Sequence, residues 1–427
     1  MTLELDPAAL DLARFIRPGD TVAVAQGSSE PLTLTEALIA QSGELGAISV
    51  FLGLMYSDTF APDAAPGFHY SSYGALGSLA RFARAGRLEV VPCHYSQLPW
   101  LLASGPVKAD VVMLGLSPSV AGVATLGPAH GYALAATTRA RVVLAEINER
   151  MPWLYGGELP TGFRIDAAVR TSRPLPRYPD SRVGQVEREV AANVAGLIPD
   201  GATLQFGVGT IADAVIGALG SHRDLGLHTG MLPEAALPLL ERGVVTNRRK
   251  PIDVGVTVNG VYIGDEALYR YIDRNPATRL AGPEYTHAIE TLARISGFVS
   301  VNSAVEVDLA GSINAEVAGG AYVGGVGGQL DFVRGAAAAP GGRAIIALPS
   351  VSRDGKSSRV VTRCAAVTTP AADADTIVTE WGVAELRGVS YEERARRVTA
   401  IAHPAFRDLL TAEARGTRPS SRSGPRG

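Results

Sequence analysis

The sequence predicts an α/β protein built from two related halves, and two observations lead to this fold class. Short apolar runs rich in β-branched residues alternate with helical patterns, which is typical of α/β units with mainly parallel sheets. In addition, a pattern in residues 16–27 returns in residues 198–209. The chain has 427 residues, a length that accommodates two or three domains.

The first half is predicted to contain at least five strands and one early helix. The helix is predicted over 32–39, directly after a strand and a glycine. Apolar runs bounded by Gly, Pro or charged residues mark the strands. These strands are predicted at 21–25, 48–52, 88–91, 111–114 and 141–145.

The repeat indicates an internal duplication. Each copy reads as a turn, a strand, a glycine and a helix, followed by a second strand. Any two strand–turn–helix units look somewhat alike, but a single return at this distance favours duplication over a solenoid, whose period is about 20–50 residues. The paired positions are Gly19 with Gly201, Gly27 with Gly209, helix 32–39 with 211–219, and strand 47–52 with 225–229.

The predicted organisation is an N-terminal α/β domain over 1–180, a C-terminal α/β domain over 181–415, and a disordered tail over 416–427. Residues 171–180 combine Arg, Pro, Ser and Asp without periodicity, which marks a linker. A helix over 181–195 is expected to open the second half. The tail consists mostly of Ser, Arg, Gly and Pro.

Composition excludes several classes of protein. The net charge is −3, so there is no basic field for nucleic acid. The two cysteines are too few for a disulfide framework or a cysteine zinc site, and no His/Asp/Glu cluster has the spacing of metal ligands. No apolar run is long enough to span a membrane, and the first residues do not read as a signal peptide. We therefore expect a cytoplasmic enzyme without a metal.

The first candidate site is a glycine-rich turn between a predicted strand and a predicted helix. Gly207 and Gly209 let backbone approach a ligand, and the helix N-terminus offers N–H groups to an anion or oxyanion. The pattern is also formally that of a dinucleotide site. Asp224 precedes the next strand and does not stand at its C-terminal end, which argues against a nicotinamide cofactor. A plain tight turn is a second, less favoured alternative.

The second candidate site is the glycine cluster in residues 319–332. Its glycines are interleaved with Val, Leu and Phe, unlike those of a flexible linker, which is usually rich in Ser. Such density means that the backbone packs closely against something or turns tightly. Gln329 and Asp331 are the polar side chains available there to bind or orient a ligand.

Further motifs occur in order along the chain at 298–311, 313–316, 324–335, 345–350 and 378–383, with Gly19-Asp20, Glu30-Pro31, 205–209, 243–247 and His403-Pro404. Together these segments strongly resemble the acetyl-CoA hydrolase/transferase family, over about residues 15 to 410. The resemblance implies two CoA-transferase-type α/β domains, coenzyme A held mostly by the second, acyl-CoA as substrate, and a possible homodimer.

The same resemblance assigns the two glycine clusters to coenzyme A. The first is implied to line the thioester and pantetheine, and the second to border the coenzyme A channel. Backbone donors in both clusters suit the oxyanion that develops in acyl transfer. The implied residues are Gly207, Val208, Gly209, Thr210 and Ile211, and then Gly325, Gly327, Gly328 and Gln329.

The sequence departs from the family at the reactive position. Relatives carry a His-Thr-Glu-Met-like motif whose Glu becomes a glutamyl thioester with coenzyme A, whereas here residues 227–231 read Leu-His-Thr-Gly-Met. Gly230 offers no nucleophile. If Pro233 opens a helix, Glu234 lies about 6 Å beyond position 230 and is better explained as a surface or capping residue. His228 is better explained as a packing residue. Either side chain could act as a base.

We therefore expect an acyl-CoA-dependent enzyme that passes a small acyl group directly to a second substrate, or to water, without a glutamyl-CoA intermediate. Two alternatives stay open. One is a conventional CoA-transferase or acetyl-CoA hydrolase with a replacement nucleophile, and the other is a catalytically silent CoA-binding subunit. Cys93 is a poor candidate for such a nucleophile.

Overall fold

The computed structural model describes residues 2–177 and 182–416 and contains two eight-stranded sheets. The first sheet draws its strands from residues 3–171 and the second from residues 203–385. The expected boundary at 180/181 and the expected tail at 417–427 lie outside the described residues. Gly416, predicted to begin the tail, is the last residue of the final helix.

The strands of the first sheet are all parallel to their neighbours. Their order across the sheet is β1-β8-β7-β6-β2-β3-β4-β5. They are β1 (Leu3–Leu5), β2 (Thr21–Val24), β3 (Ser49–Phe51), β4 (His69–Ser72), β5 (Leu88–Val90), β6 (Val111–Leu116), β7 (Val142–Asn148) and β8 (Ala167–Thr171).

The second sheet has the order β12-β11-β10-β9-β13-β18-β20-β21, and only β21 runs antiparallel to its neighbour. Two small sheets accompany it, β15-β14-β19 and β16-β17. The strands are β9 (Thr203–Phe206), β10 (Gly226–Pro233), β11 (Thr257–Ile263), β12 (Thr278–Leu280), β13 (Phe298–Ser303), β14 (Glu306–Asp308), β15 (Ile313–Asn314), β16 (Val317–Ala318), β17 (Ala321–Tyr322), β18 (Arg343–Ala347), β19 (Val360–Val361), β20 (Thr376–Thr379) and β21 (Gly382–Glu385).

Helices separate most of the strands, as the parallel pairing requires. The α-helices are α1 (Leu32–Ala40), α2 (Ser42–Leu45), α3 (Ala80–Arg84), α4 (Leu98–Ser104), α5 (Ala133–Thr137), α6 (Gln185–Ala195), α7 (Thr210–Ala218), α8 (Leu237–Glu241), α9 (Glu266–Ile272), α10 (Pro283–Thr286), α11 (Ile289–Leu292), α12 (Gln329–Ala338), α13 (Tyr391–Ala400) and α14 (Pro404–Gly416). Short 3₁₀ helices lie at Pro7–Ala9, Leu12–Arg14, Gly27–Ser29, Tyr95–Gln97 and Glu234–Ala236. No helix of the described residues is long and apolar enough to cross a membrane.

The two large sheets share one topology, so the predicted α/β class with two related domains is confirmed. Read outward from the centre, β2-β3-β4-β5 corresponds to β9-β10-β11-β12, and β6-β7-β8 corresponds to β13-β18-β20. The repeat aligns β2 with β9. Its first glycine takes the left-handed conformation in both copies, with φ of +85° at Gly19 and +79° at Gly201.

One apolar core runs through both halves and places their strand ends together. It contains Tyr132 and Leu154 from the first half and Leu232, Tyr262 and Leu280 from the second. Inner strands such as β6 and β11 are buried along their whole length, as expected for parallel strands covered on both faces. Loops of the first half therefore contact the strands of the second.

Candidate active site

The turn after β9 is open to a ligand. All four residues of β9 are buried, but residues 207–210 are only half-buried. Gly209 has φ of +106°, and no atom lies within 4 Å of the place where its Cβ would stand. The Gly207 N–H donates to the Val301 carbonyl at 2.8 Å, which ties the turn to β13. α7 begins at Thr210, so its N-terminus follows the open turn directly.

A cavity of about 860 Å³ adjoins this turn and includes Thr210 and Ile211 in its wall. Three arginines line it: Arg182, Arg353 and Arg359. Guanidinium groups bind phosphate oxygens in bidentate geometry, so this wall suits an anionic ligand.

The second glycine segment is held in place by backbone of the first half. The Ala75 N–H donates to the Gly324 carbonyl at 2.7 Å, and the Tyr95 N–H donates to the Gly327 carbonyl at 2.9 Å. A Cβ at Gly325 would lie 2.9 Å from the Cα of Gly74, so the two chains approach too closely for a side chain. Here the glycine density reflects contact between the two halves.

Asp331, expected to bind or orient a ligand, orients part of the protein itself. Its carboxylate accepts hydrogen bonds from the Ser96 N–H at 3.1 Å and the Ser96 hydroxyl at 2.8 Å. These bonds fix the 3₁₀ helix that carries Tyr95. Gln329 is the first residue of α12, and its amide donates to the Thr369 hydroxyl at 3.4 Å.

The space beside Gly230 is occupied by another residue. Gly230 lies within β10, and a Cβ built on it would stand 2.7 Å from Cε1 and 2.8 Å from Nε2 of His287. The same Cβ would lie 3.3 Å from Cε2 of Phe332. The imidazole of His287 therefore fills the place where a side chain at position 230 would begin.

His287 also meets the second glycine segment. A Cβ at Gly328 would lie 2.5 Å from both Cδ2 and Nε2 of the same ring. The structure thus brings both Gly230 and Gly328 against the Nε2 edge of one histidine. His287 is not predicted from the sequence, because it stands alone without a motif and far along the chain from both glycines.

Aromatic rings and burial define the environment of His287. Its ring centroid lies 5.0 Å from that of Tyr95 and 4.4 Å from that of Phe332, and only 4% of the residue is exposed. Burial, with a smaller contribution from His228, lowers its pKa to about 3. The imidazole is therefore neutral at ordinary pH.

His228 lies on the same face of β10 as Gly230, since side chains alternate along a strand. It is fully buried, and its ring centroid lies 5.7 Å from that of Tyr285. Burial, together with the nearby Lys250, lowers its pKa to about 3. Lys250 is itself buried, and its Nζ donates to the carbonyls of Leu227 at 2.9 Å and Val256 at 2.6 Å.

Glu234 lies further from Gly230 than expected. The residues between them remain in the strand to Pro233, and the helical turn starts only at Glu234. Four extended residues span about 13 Å, so the displacement of about 6 Å expected for a helix was wrong. The Glu234 carboxylate instead faces Gly264, whose Cβ would stand 3.2 Å from Oε2.

The opposite side of the turn is apolar. Ala129, Val261 and Ile263 form a small buried cluster, joined by three half-buried side chains. These three are Tyr56, Val208 and Met231, the last two next to positions expected to face the thioester.

No group of three potential metal ligands lies close together anywhere in residues 2–177 and 182–416. Cys93 and Cys364 are free and buried. Burial raises the pKa of the Cys93 thiol to about 11, so that group is protonated at neutral pH.

Two family models match the chain in succession. The acetyl-CoA hydrolase/transferase N-terminal domain matches residues 8–160, and the acetyl-CoA hydrolase/transferase C-terminal domain matches residues 264–414. The 4-hydroxybutyrate coenzyme A transferase of Clostridium kluyveri is 34% identical, over 92% of this chain and 93% of its own. The butyryl-CoA:acetate CoA-transferase of Anaerostipes caccae is 31% identical, over 95% and 94%.

Solved structures show the same likeness. RipA from Yersinia pestis superimposes with a TM-score of 0.89 at 32% identity, covering 97% of both chains. A 4-hydroxybutyrate CoA-transferase from Porphyromonas gingivalis gives 0.80 at 30% identity, covering 95% of this chain and 96% of its own. Fold, order of domains and sequence agree over nearly the whole length, and the chain therefore belongs to the acetyl-CoA hydrolase/transferase family.

Proposed function

We propose that this protein processes a small acyl-CoA, transferring the acyl group directly to a second substrate or to water without a glutamyl-CoA intermediate. The relatives are CoA-transferases and, over part of the chain, an acetyl-CoA hydrolase from Schizosaccharomyces pombe. Membership of this family supports acyl-CoA as the substrate. The direct route of transfer is proposed from the residues of this chain.

The arrangement around Gly230 carries the proposal. A glycine has no side chain to attack the thioester, and the adjacent volume is filled by the His287 ring and by Phe332. Glu234 is about 13 Å along the strand from that position, beyond the 3–3.5 Å from which a nucleophile attacks. A carboxylate replacement at the family position is therefore disfavoured.

Coenzyme A is proposed to lie along the open turn after β9. The free space at Gly209 allows the pantetheine to approach the backbone, and the N–H groups at the start of α7 can stabilise a developing oxyanion. The three arginines of the adjoining cavity suit the phosphates of coenzyme A. Gly327 and Gly328 then border the thioester from the other side.

The acyl group is proposed to be short and apolar. The wall formed by Tyr56, Val208, Met231 and the Val261 cluster offers apolar contact to an acyl chain. Burying an unpaired carboxylate there would be costly. We therefore expect acetyl-, propionyl- or butyryl-CoA to be processed in preference to succinyl-CoA.

Steady-state kinetics and peptide mass spectrometry together test the proposal. Direct transfer requires both substrates to be bound together, so initial rates should give intersecting lines, whereas a covalent intermediate gives parallel lines. After incubation with butyryl-CoA and borohydride or hydroxylamine, the peptide spanning 225–242 should carry no modification. A modified Glu234 would instead identify a replacement nucleophile.

If the protein binds coenzyme A but releases none from any acyl-CoA, it is the silent CoA-binding subunit that the sequence left open. A cytoplasmic location and a homodimer also remain predictions from the sequence.

A further inference from the structure

His287 has an unused ring nitrogen at the place where relatives of this family carry their reactive side chain. Its Cε1–Nε2–Cδ2 edge lies between the Cβ positions of Gly230 and Gly328. Within residues 2–177 and 182–416, no group makes a hydrogen bond to Nε2. Both glycines are half-buried, so the space beside them is reached from outside.

Thr286 decides which nitrogen of His287 carries the proton. Its hydroxyl oxygen lies 3.1 Å from the Gly282 carbonyl oxygen and 2.8 Å from Nδ1 of His287. A hydroxyl has one hydrogen and a carbonyl only accepts. Both contacts are hydrogen bonds only when Thr286 donates to Gly282 and accepts from Nδ1–H. This tautomer leaves the lone pair of the imidazole on Nε2, the nitrogen that faces Gly230.

The orientation of the ring is fixed from both sides. Tyr95 lies against one side, and its hydroxyl accepts a hydrogen bond from the Gln26 amide at 2.6 Å. Phe332 lies against another side, at a centroid distance of 4.4 Å. Because neither ring can move without disturbing the core, Nε2 is held in one direction. Such preorganisation is what a base needs in order to meet its proton.

We propose that Nε2 of His287 is the general base that activates the acyl acceptor. It takes the proton from an acceptor X–H, which is water or an alcohol, while X bonds to the thioester carbonyl carbon. The C–S bond then breaks, and the proton passes from Nε2 to the departing sulfur. Acyl-CoA and X–H thus give acyl-X and coenzyme A, with His287 returned to its neutral form.

Burial supports this role in one respect and constrains it in another. It keeps the imidazole neutral, with a pKa of about 3, so the lone pair is available at ordinary pH. It also makes the imidazolium unfavourable, so the proton must pass on promptly to the leaving thiolate. His287 therefore transfers the proton to the leaving thiolate and does not remain protonated.

This inference rests on the proposed direct transfer, and the substitution His287→Gln tests it. The Gln amide keeps polarity near the site but has no basic lone pair. Release of coenzyme A from butyryl-CoA is measured with a thiol reagent, first in water alone and then with hydroxylamine. Water must lose a proton to attack, whereas hydroxylamine attacks as a neutral amine. We expect hydrolysis to fall about 100-fold or more and hydroxylaminolysis to fall far less.

His222→Gln is the matched control. His222 is a half-buried histidine of the same domain whose Nε2 contacts the Ile198 carbonyl at 3.1 Å, outside the proposed site. It should leave both rates unchanged. Affinity for butyryl-CoA, measured by titration calorimetry, should be similar in the parent and in His287→Gln, because a lost base does not remove a binding contact.

Three outcomes would contradict the inference in distinguishable ways. Unchanged hydrolysis in a folded His287→Gln protein, with intersecting kinetics retained, would remove His287 as the base and leave direct transfer intact. An equal loss of both rates would assign a structural role to the residue. Parallel kinetic lines in the parent protein, or no release of coenzyme A at all, would overturn both the inference and the proposed function.

Discussion

The two halves contain the same strand–turn–helix unit, but its turn is buried in the first half and half-buried in the second. After β2, residues 26–29 are entirely buried, and the Gln26 side chain holds the Tyr95 hydroxyl, the Tyr73 hydroxyl and the Leu54 N–H. After β9, residues 207–210 are half-buried, and the site of a Cβ at Gly209 is empty of neighbours. The strand, the glycine and the following helix are shared, but the surroundings are not.

The closed copy therefore supports the protein core, and the open copy is the one proposed to bind coenzyme A. Gln26 donates a hydrogen bond to the Tyr95 hydroxyl, and the Tyr95 ring packs against His287. The buried turn after β2 therefore helps to position His287 of the second half. The open copy keeps free backbone for a ligand. Substitutions at matched positions should therefore reduce stability in the first half and ligand binding in the second.

The largest effect is expected for Gly209→Val. The side chain would fill the open turn, and φ of +106° is unfavourable for a branched residue, so affinity for acyl-CoA should fall by about 100-fold or more, equivalent to about 2.8 kcal/mol. Titration calorimetry measures this loss. Gly217→Val, in the helix that follows Gly209 and also without neighbours, is the control. Equal affinity in both variants would place coenzyme A elsewhere.

The next effect concerns Gly230→Glu. This variant should lower native activity and cost about 1–3 kcal/mol of stability, because the new side chain collides with His287.

The double variant Gly230→Glu/His287→Gly removes the collision. It should form a glutamyl adduct with acetyl-CoA, detectable by peptide mass spectrometry. Gly230→Gln/His287→Gly matches its size without the carboxylate and should form none. Unchanged native activity in folded Gly230→Glu would mean that the reaction avoids this position.

A smaller effect is expected for Gln26→Leu in the closed turn. The change leaves buried hydrogen-bonding groups of Tyr95, Tyr73 and Leu54 without a partner, which should cost about 1–3 kcal/mol in urea unfolding. Because Tyr95 orients His287, hydrolysis should slow while affinity for acyl-CoA stays unchanged. Glu44→Leu, at an exposed position of α2 in the same half, is the control. Weaker binding without loss of stability would reverse the roles assigned to the two turns.

The smallest effect is the pH dependence of stability. The folded pKa of His287, about 3, lies below the ordinary value of about 6.5, so the unfolded chain takes up the proton first as pH falls. The stability contributed by neutral His287 is therefore complete above about pH 6.5 and is lost towards pH 3. Between about pH 6.5 and pH 5, the parent should lose more free energy of unfolding than His287→Gln does.

His228 and Tyr95, which lie near His287, are present in both proteins, so the difference between the two curves reports mainly on His287. Glu30 also cancels, although burial raises its pKa to about 7 and its contribution has the opposite sign. In the same window, kcat/KM of the parent should show no acid limb near pH 6.5. An acid limb in kcat/KM near pH 6.5 would mean that His287 is exposed to water. An equal pH dependence of the free energy of unfolding in the parent and in His287→Gln would mean the same.

The fold was largely readable from the sequence because its signals are local and repeated. The predicted strands at 111–114 and 141–145 became β6 and β7, each two or three residues longer at its end, and the predicted helix at 211–219 became α7 with a shift of one residue. Apolar runs between turns determine such elements directly. The family resemblance rests on the same ordered segments, and the family models agree with it.

The candidate site was only partly readable. Gly230 and both glycine clusters are evident in the sequence, and the loss of the family nucleophile at position 230 stays a prediction from comparing one motif with the family. That the second cluster serves contact with Gly74 and Tyr95 was not evident, because close backbone approach across two halves leaves no signature except glycine itself.

The sequence by itself determined the family, the α/β halves, the duplication and the absence of a carboxylate at position 230. Only the tertiary structure decided what stands there instead. His287 follows α10 and reaches Gly230 of β10 and Gly328 before α12 because packing brings these three segments together. A glycine vacates a volume that close-packed interiors do not leave empty, and which side chain fills it depends on neighbours distant in the chain.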